Sequence, residues 1–158
     1  MNARRLENRV AIVTGAGQGV GEGIARRLAQ EGVTVVVAAR RAETGQPVVE
    51  SIRAAGGQAV CIVTDVSVSE SVDACVASTV QQFGRLDIMV HNAFMGGIPH
   101  KLEKAQIEKH WTSMSRTGVW ASLFCARAAM PHLITSSARP QGEGGGRLIL
   151  ITSPSGVE

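Results

Sequence analysis

Two short runs of β-branched and apolar residues constrain the fold most strongly. The runs RVAIVT (residues 9–14) and VTVVVAA (residues 33–39) are nearly continuous and lack the polar alternation of a strand with one face in water. Between them Val20, Ile24 and Leu28 recur at helical spacing, with polar residues on the other side. Strands covered on both faces and joined by a helix predict a βαβ unit of a parallel sheet.

A second helix and a third strand follow this unit. Apolar residues at helical spacing predict a helix that ends at Gly56-Gly57, and residues 59–63 (AVCIV) predict the strand. Helical spacing then continues through residues 68–83. Ser67 and, three positions later, Glu70 form a capping-box pattern, so we predict that Ser67 caps this third helix.

The same alternation of strand and helix continues to the end of the sequence. Residues 86–90 (LDIMV) predict a fourth strand, and a long helical region follows over residues 103–134, with a candidate break near Trp111. Residues 135–146 are rich in glycine and polar residues and predict a flexible connection. Residues 148–151 predict a fifth strand, whose outer edge we expect to be unpaired and apolar.

Strict alternation of strands and helices predicts a doubly wound α/β fold of the Rossmann type, with five strands in a mostly parallel sheet. The 158 residues fit one domain, and 44% hydrophobic with 18% charged residues is enough to bury a core. The basic residues behind the net charge of +3 are scattered and only 3% of residues are aromatic, which argues against a nucleic-acid-binding surface.

The cysteines and histidines bear on the cellular compartment of the protein and on whether it has a metal site. The three cysteines lie far apart within apolar segments, so we predict buried free thiols in a reducing compartment: Cys61, Cys75 and Cys125. No segment has the length of a membrane span or the features of a signal peptide, and we therefore expect a cytoplasmic protein. The four histidines lack ligand-like spacing, and we predict no metal site.

A glycine-rich loop, TGAGQGVG (residues 14–21), joins the first strand to the first helix. Backbone N–H groups and the positive end of the helix dipole meet at such a junction, which is suited to bind phosphate. The common G-x-G-x-x-G spacing fails because Val20 stands where its last glycine belongs. The spacing that fits is G-x-x-x-G-x-G, with Gly15, Gly19 and Gly21.

With this loop the sequence resembles the short-chain dehydrogenase/reductase family, whose nucleotide loop is T-G-x-x-x-G-x-G. Residues 84–93 (GRLDIMVHNA) are similar to the family's G-x-L-D-x-L-V-N-N-A, and residues 146–156 (GRLILITSPSG) are similar to its G-R-I-V-N-I-S-S-x-x-G. The likeness covers residues 10–156. It implies an oxidoreductase that moves hydride between a nicotinamide cofactor and a small carbonyl compound or secondary alcohol, and that forms a homo-oligomer at full length.

The resemblance also assigns roles to single residues. It makes Ser153 the catalytic serine and aligns Ser115 (in SRTG) with the helical asparagine of the family's N-x-x-G, a second catalytic position. It makes Asp65 the acid that hydrogen-bonds the adenine. The cofactor-binding residues that it implies are Thr14, Gly15, Gln18, Gly19, Val20, Gly21, Arg40, Arg41, Asp65, Val66, Asn92 and Ala93.

The second strand ends in AARR, without an acid. NAD-dependent enzymes usually place a carboxylate there for the ribose 2′-OH, whereas arginine suits the 2′-phosphate of NADP. Arg40 or Arg41 therefore favours NADP over NAD as the cofactor. The alternative is that these arginines are exposed residues at the start of a helix.

The sequence departs from the family pattern at three points. It contains no tyrosine, although the family's proton donor is the tyrosine of a Tyr-x-x-x-Lys segment. Phe94 stands where the family has the last glycine of Asn-Asn-Ala-Gly, and Ser115 stands in place of asparagine. We expect an incomplete domain, residues 1–158, that binds the dinucleotide weakly and does not turn over alone. The alternative is a non-enzymatic dinucleotide-binding or interaction module.

Overall fold

The computed structural model describes residues 6–94, 106–137 and 145–152. Five strands form one sheet in the order β3-β2-β1-β4-β5, and each neighbouring pair is parallel. The strands are β1 (Val10–Thr14), β2 (Thr34–Ala39), β3 (Gln58–Val63), β4 (Ile88–His91) and β5 (Arg147–Leu150). This confirms the predicted doubly wound, Rossmann-like fold.

Helices connect the strands and cover the sheet. They are α1 (Gly19–Gln30), α2 (Ala42–Ala54), α3 (Ser69–Phe83), α4 (Ile107–Ser115) and α5 (Ala121–Ser137), with a π-helical turn (Arg116–Trp120) between α4 and α5. One apolar cluster packs α1 and α2 on one face of the sheet, and a second packs α3 and α5 on the other. The central strands are therefore buried on both faces, which is why their sequences are apolar without alternation.

The predicted capping box at Ser67 is wrong. Helix α3 begins after Val68, and no side chain caps it. The Ser67 hydroxyl instead donates to Asp65 Oδ1 over 2.7 Å, and the Ser67 amide donates to the same oxygen over 2.9 Å. The Asp65 carboxylate is the stronger acceptor and draws Ser67 into a local turn at the end of β3.

The long helical region is interrupted later than predicted. Helix α4 runs through Trp111, and the irregularity is the π-helical turn that begins at Arg116. Helix α5 contains Pro131 and extends to Ser137, beyond the predicted end at residue 134. Strand β4 begins two residues later and ends one residue later than predicted, and β5 begins and ends one residue earlier.

The outer edge of β5 is exposed in the described part of the sheet, as predicted. Strand β5 pairs only with β4 there, through a register that joins Met89 to Leu148 and Val90 to Ile149. Ile149 and Leu150 are 42% and 45% exposed. None of the described helices is long and apolar enough to cross a membrane.

Candidate nucleotide site

A cleft of about 350 Å³ lies at the carboxyl ends of β1, β2, β3 and β4. The carboxyl ends of parallel strands meet at one edge, so loops distant in sequence converge there. The residues that line it are Gly15, Gly17, Gln18, Gly19, Val20, Ala39, Arg40, Arg41, Thr44, Thr64, Asp65, Val66, Asn92, Ala93, Phe94 and Thr117. All of the predicted cofactor residues line this cleft except Thr14 and Gly21.

The glycine loop between β1 and α1 packs tightly against the loop after β4. Gly15 has φ +64°, and a Cβ built on it would lie 2.8 Å from the Ala93 Cα. A Cβ on Gly21 would lie 2.5 Å from the Asn92 Nδ2 and would collide with the Gly15 carbonyl oxygen. Glycine is therefore required at both positions, by backbone conformation and close approach at Gly15 and by close approach at Gly21.

The amino end of α1 opens toward the cleft. Its N-cap residue, Gln18, has extended backbone and makes no side-chain capping hydrogen bond. Gly19, the first helical residue, has φ +58°, and a Cβ there would meet no atom within 4 Å. The first N–H groups of α1 and the positive end of its dipole can therefore receive an anionic group that enters from the cleft.

Thr14 holds the ends of β1 and β4 together from beneath the cleft. Its side chain is buried, and its hydroxyl accepts hydrogen bonds from the amides of Asn92 (3.0 Å) and Ala93 (3.1 Å). The Asn92 side chain donates back to the Thr14 carbonyl over 3.2 Å and to the Gly15 carbonyl over 3.4 Å. Thr14 thus fixes the position of the glycine loop from the protein interior.

One end of the cleft carries charged side chains. Arg40 and Arg41 are exposed after β2, and Asp65 is half-buried after β3. Hydrogen bonding by the Ser67 hydroxyl lowers the pKa of Asp65, burial opposes this, and the Arg40 guanidinium adds to the lowering. Asp65 is therefore a carboxylate at neutral pH, and this end combines one negative and two positive groups.

The other end of the cleft is formed by Phe94 and the π-helical turn. The Phe94 ring is 63% exposed, and a Cβ on Gly118 would lie 3.8 Å from it. Thr117 in the turn also lines the cleft. Thr117 was not predicted as a site residue, because it is not a defined position of any sequence motif and reaches the cleft only through the packing of the turn. The other lining residues that were not predicted lie within three positions of predicted ones: Gly17, Ala39, Thr44 and Thr64.

The structure describes only one of the two predicted catalytic serines. Ser153 lies outside the described residues. The Ser115 hydroxyl donates to the Trp111 carbonyl over 2.7 Å and to the Thr112 carbonyl over 3.2 Å, within its own helix. Ser115 does not line the cleft, and its catalytic role stays a prediction.

The histidines and cysteines within the described part of the chain are structural or peripheral. His91 is buried in the core, and His110 and His132 are half-buried outside the cleft, while His100 lies outside the described residues. Cys75 and Cys125 are buried free thiols, Cys61 is partly buried, and burial raises the pKa of Cys125 to about 12. No group of three or more His, Cys, Asp or Glu residues in the described ranges could hold a metal ion.

The family model and the sequence relatives that match this chain all belong to one class of oxidoreductases. The model of the short chain dehydrogenase family matches residues 9–158. An uncharacterized oxidoreductase of Methylorubrum extorquens is 39% identical over 142 residues, which cover 89% of this chain and 53% of that protein. The short chain dehydrogenase/reductase astE of Aspergillus oryzae is 39% identical over 150 residues, covering 94% and 54%. The chain thus spans about half the length of these relatives.

Solved structures agree with the sequence relatives. A metagenomic short-chain oxidoreductase in complex with NADP superposes with a TM-score of 0.83 at 32% identity, covering 94% of this chain and 64% of that one. A short-chain type dehydrogenase/reductase from Mycobacterium marinum gives 0.86 at 28% identity, covering 99% and 60%. Because the family match extends over nearly all of the sequence and the same fold recurs in these oxidoreductases, this chain belongs to the short-chain dehydrogenase family.

Proposed function

We propose that the protein is an oxidoreductase that binds NADP(H) in the cleft and transfers hydride between it and a small carbonyl compound or secondary alcohol. The observation that carries this proposal is the convergence of the glycine loop, Asp65 and the Arg40-Arg41 pair on one cleft. Strand β2 ends without an acid, so NADP is the preferred form. The solved relative with bound NADP supports the same cofactor class.

The residues of the cleft suit the successive parts of a dinucleotide. The glycine loop and the amino end of α1 offer backbone N–H groups to the pyrophosphate. Asp65 accepts hydrogen bonds from the adenine, and Arg40 and Arg41 pair with the 2′-phosphate. Asn92, Ala93, Phe94 and Thr117 then line the nicotinamide half. The bound cofactor supplies the hydride, and the protein orients and shields it.

Ser153 would orient the carbonyl by donating a hydrogen bond to its oxygen. The 158 residues contain no tyrosine, and a serine hydroxyl without an adjacent base is a weak proton donor at neutral pH. We therefore expect this chain alone to show no NADPH oxidation with a panel of ketones and aldehydes. A steady oxidation rate that disappears in Ser153→Ala would contradict this expectation.

Removing the guanidinium groups should change the cofactor preference. In the double variant Arg40→Ala/Arg41→Ala we expect the Kd for NADPH to rise about tenfold to a hundredfold, because charge-assisted hydrogen bonds to the 2′-phosphate are lost. The Kd for NADH should change less than about threefold, since NADH has no such phosphate. Fluorescence titration of both cofactors measures the two constants.

A matched control removes an exposed arginine elsewhere. Arg27 lies in the last turn of α1, away from the cleft, and pairs with Glu31. Arg27→Ala deletes one positive charge and should leave both constants unchanged. Equal weakening of NADPH and NADH by the Arg40/Arg41 variant would contradict recognition of the 2′-phosphate.

A dinucleotide-binding module without catalytic activity is the second candidate. The observation that favours it is that the glycine loop and the strand ends form most of the cleft, so cofactor binding does not require a proton donor. Tight NADPH binding by the protein as its source organism produces it, with no oxidation of NADPH by any carbonyl tested, would select the module over the enzyme. Turnover by that protein would select the enzyme.

A further inference from the structure

The hydrogen bonds at the Thr14 hydroxyl fix the direction of a further bond. A hydroxyl has two acceptor lone pairs and one proton. The amides of Asn92 and Ala93 both donate to Thr14 Oγ1, which uses the two lone pairs. The third partner is His91 Nδ1, at 3.1 Å. The hydroxyl proton must therefore go to His91, whose Nδ1 is the acceptor.

This direction determines the tautomer of the imidazole. A ring that accepts at Nδ1 and is neutral carries its proton on Nε2. His91 is 3% exposed, and burial lowers its pKa, which keeps the ring neutral. The titratable group packed against it in the described structure is the Cys125 thiol of α5, 3.8 Å from Nδ1, which is uncharged at neutral pH.

The Nε2 proton has acceptors in the π-helical turn. The backbones of Thr117 and Gly118 act on the ring as hydrogen-bond acceptors that raise the pKa of His91, and because Nδ1 accepts from Thr14 we assign them to Nε2. A π-helical turn displaces carbonyls from the regular i to i+4 bonding of an α-helix and leaves them available to a side chain that inserts at that point. A buried imidazole with one acceptor and one donor nitrogen therefore bridges the glycine loop on one side and the turn on the other.

The turn that His91 contacts also forms the wall of the cleft. Thr117 lines the cleft directly, and Gly118 lies beside the Phe94 ring. These residues lie opposite the Arg40-Arg41 end. If that end takes the 2′-phosphate, as proposed above, the nicotinamide of the same dinucleotide lies between Phe94 and Thr117.

We propose that His91 is a positioning residue, which locks the π-helical turn to the glycine loop through its Nε2–H tautomer and so sets the walls around the nicotinamide. The location of the nicotinamide rests on the proposed function. The lock itself does not, because Thr14, His91 and the turn interact without cofactor. His91 touches no reacting atom and acts through Thr117 and Phe94.

Two substitutions separate the two bonds of the ring. In His91→Asn the short amide reaches the position of Nδ1 and can still accept from Thr14, but it cannot reach the turn. In His91→Gln the longer amide reaches the position of Nε2 and can still donate to the Thr117 or Gly118 carbonyl. His132→Asn, which changes a half-buried histidine of α5 outside the cleft, is the matched control.

The first readout is made without cofactor. We expect ¹⁵N spectra of the wild-type protein to show His91 protonated on Nε2, and hydrogen exchange to show amides of the turn exchanging about tenfold or more faster in His91→Asn. His91→Gln should restore most of that protection, and His132→Asn should leave it unchanged. An Nδ1-protonated ring, or wild-type exchange of the turn in His91→Asn, would overturn the proposal.

The second readout uses NADPH and separates this proposal from the proposed function. We expect His91→Asn to weaken NADPH binding about threefold to tenfold and His91→Gln to restore it in part, in parallel with the exchange of the turn. A wild-type protein that does not bind NADPH would remove the proposed function and leave the exchange pattern intact. Exchange that changes while NADPH affinity stays constant in both variants would overturn the positioning role.

Discussion

Replacing Gly15 with alanine is expected to weaken NADPH binding by about a hundredfold or more. Gly15 has φ +64°, a conformation that costs an L-residue about 1–2 kcal/mol. The added Cβ would also lie 2.8 Å from the Ala93 Cα, a backbone atom that cannot rotate away. Loop and strand end must therefore move apart, and the N–H groups that face the pyrophosphate lose their arrangement.

A second glycine gives the control for this variant. Gly23 is exposed within α1, and a Cβ there would meet nothing within 4 Å. Gly23→Ala should raise the free energy of unfolding by about 0.5–1 kcal/mol, since alanine favours the helix, and should leave the NADPH Kd unchanged. Wild-type affinity in Gly15→Ala would mean that the loop does not hold the phosphates.

The largest loss of stability is expected when Asp87 is replaced. Asp87 lies at the amino end of β4, on the side of the sheet away from the cleft. The Asp87 side chain is fully buried and accepts hydrogen bonds from Arg85 Nε (2.7 Å), Arg85 Nη2 (2.7 Å) and the Val10 amide (2.9 Å). It also accepts from the Ser136 hydroxyl of α5. The carboxylate thus joins β1, β4 and α5. Asp87→Ala should lower the free energy of unfolding by about 3–5 kcal/mol, because the partners remain buried without it.

Asp73 provides the comparison for Asp87. Asp73 forms an exposed ion pair with Arg127, in which the side chains are 48% and 59% exposed. Asp73→Ala removes the same kind of group from a solvated surface and should cost less than about 1 kcal/mol in urea unfolding. Similar losses in the two variants would contradict a structural role for the buried carboxylate.

The lowered pKa of Asp87 also makes the stability of the folded protein depend on pH. Burial acts to raise the pKa of Asp87, but hydrogen bonds from Arg85, Ser136 and the Val10 amide outweigh it, and the pKa lies below its ordinary value. An aspartate titrates near pH 3.9 when unfolded, so its contribution is present above that pH and is lost as pH falls through the lower folded value. Asp87→Asn should therefore show a shallower fall in stability below about pH 4, measured by urea unfolding at each pH.

The sheet could be predicted from the sequence because its signal is local and strong. The runs at residues 9–14 and 33–39 are apolar throughout, and only strands covered on both faces suit such sequences. The glycine loop directly follows the first of these strands. The same pattern therefore predicts that the loop lies at the carboxyl ends of the strands. Asp65 and Asn92 follow the third and fourth strands and reach the cleft for the same reason.

The errors fall where contacts other than the helical repeat decide the local structure. Ser67 has the pattern of a helix cap, but the carboxylate of Asp65 takes its hydrogen bonds. The irregularity after α4 lies at the π-helical turn, which no helical spacing in the sequence marks. Thr117 of this turn lines the cleft and carries no local signal of its own. Helical spacing describes neighbours along a helix, whereas Ser67 depends on a carboxylate in the loop before the helix and Thr117 depends on how the turn packs in the fold.

Titration of the protein with NADPH and NADH, followed by fluorescence, tests the central claim most directly. We expect saturable binding at one site, with NADPH bound about tenfold or more tightly than NADH and the preference lost in Arg40→Ala/Arg41→Ala. Binding should also be lost in Gly15→Ala and kept in Gly23→Ala. A folded protein that binds neither cofactor, or that binds both equally well whether Gly15 is present or replaced, would contradict a dinucleotide site in this cleft.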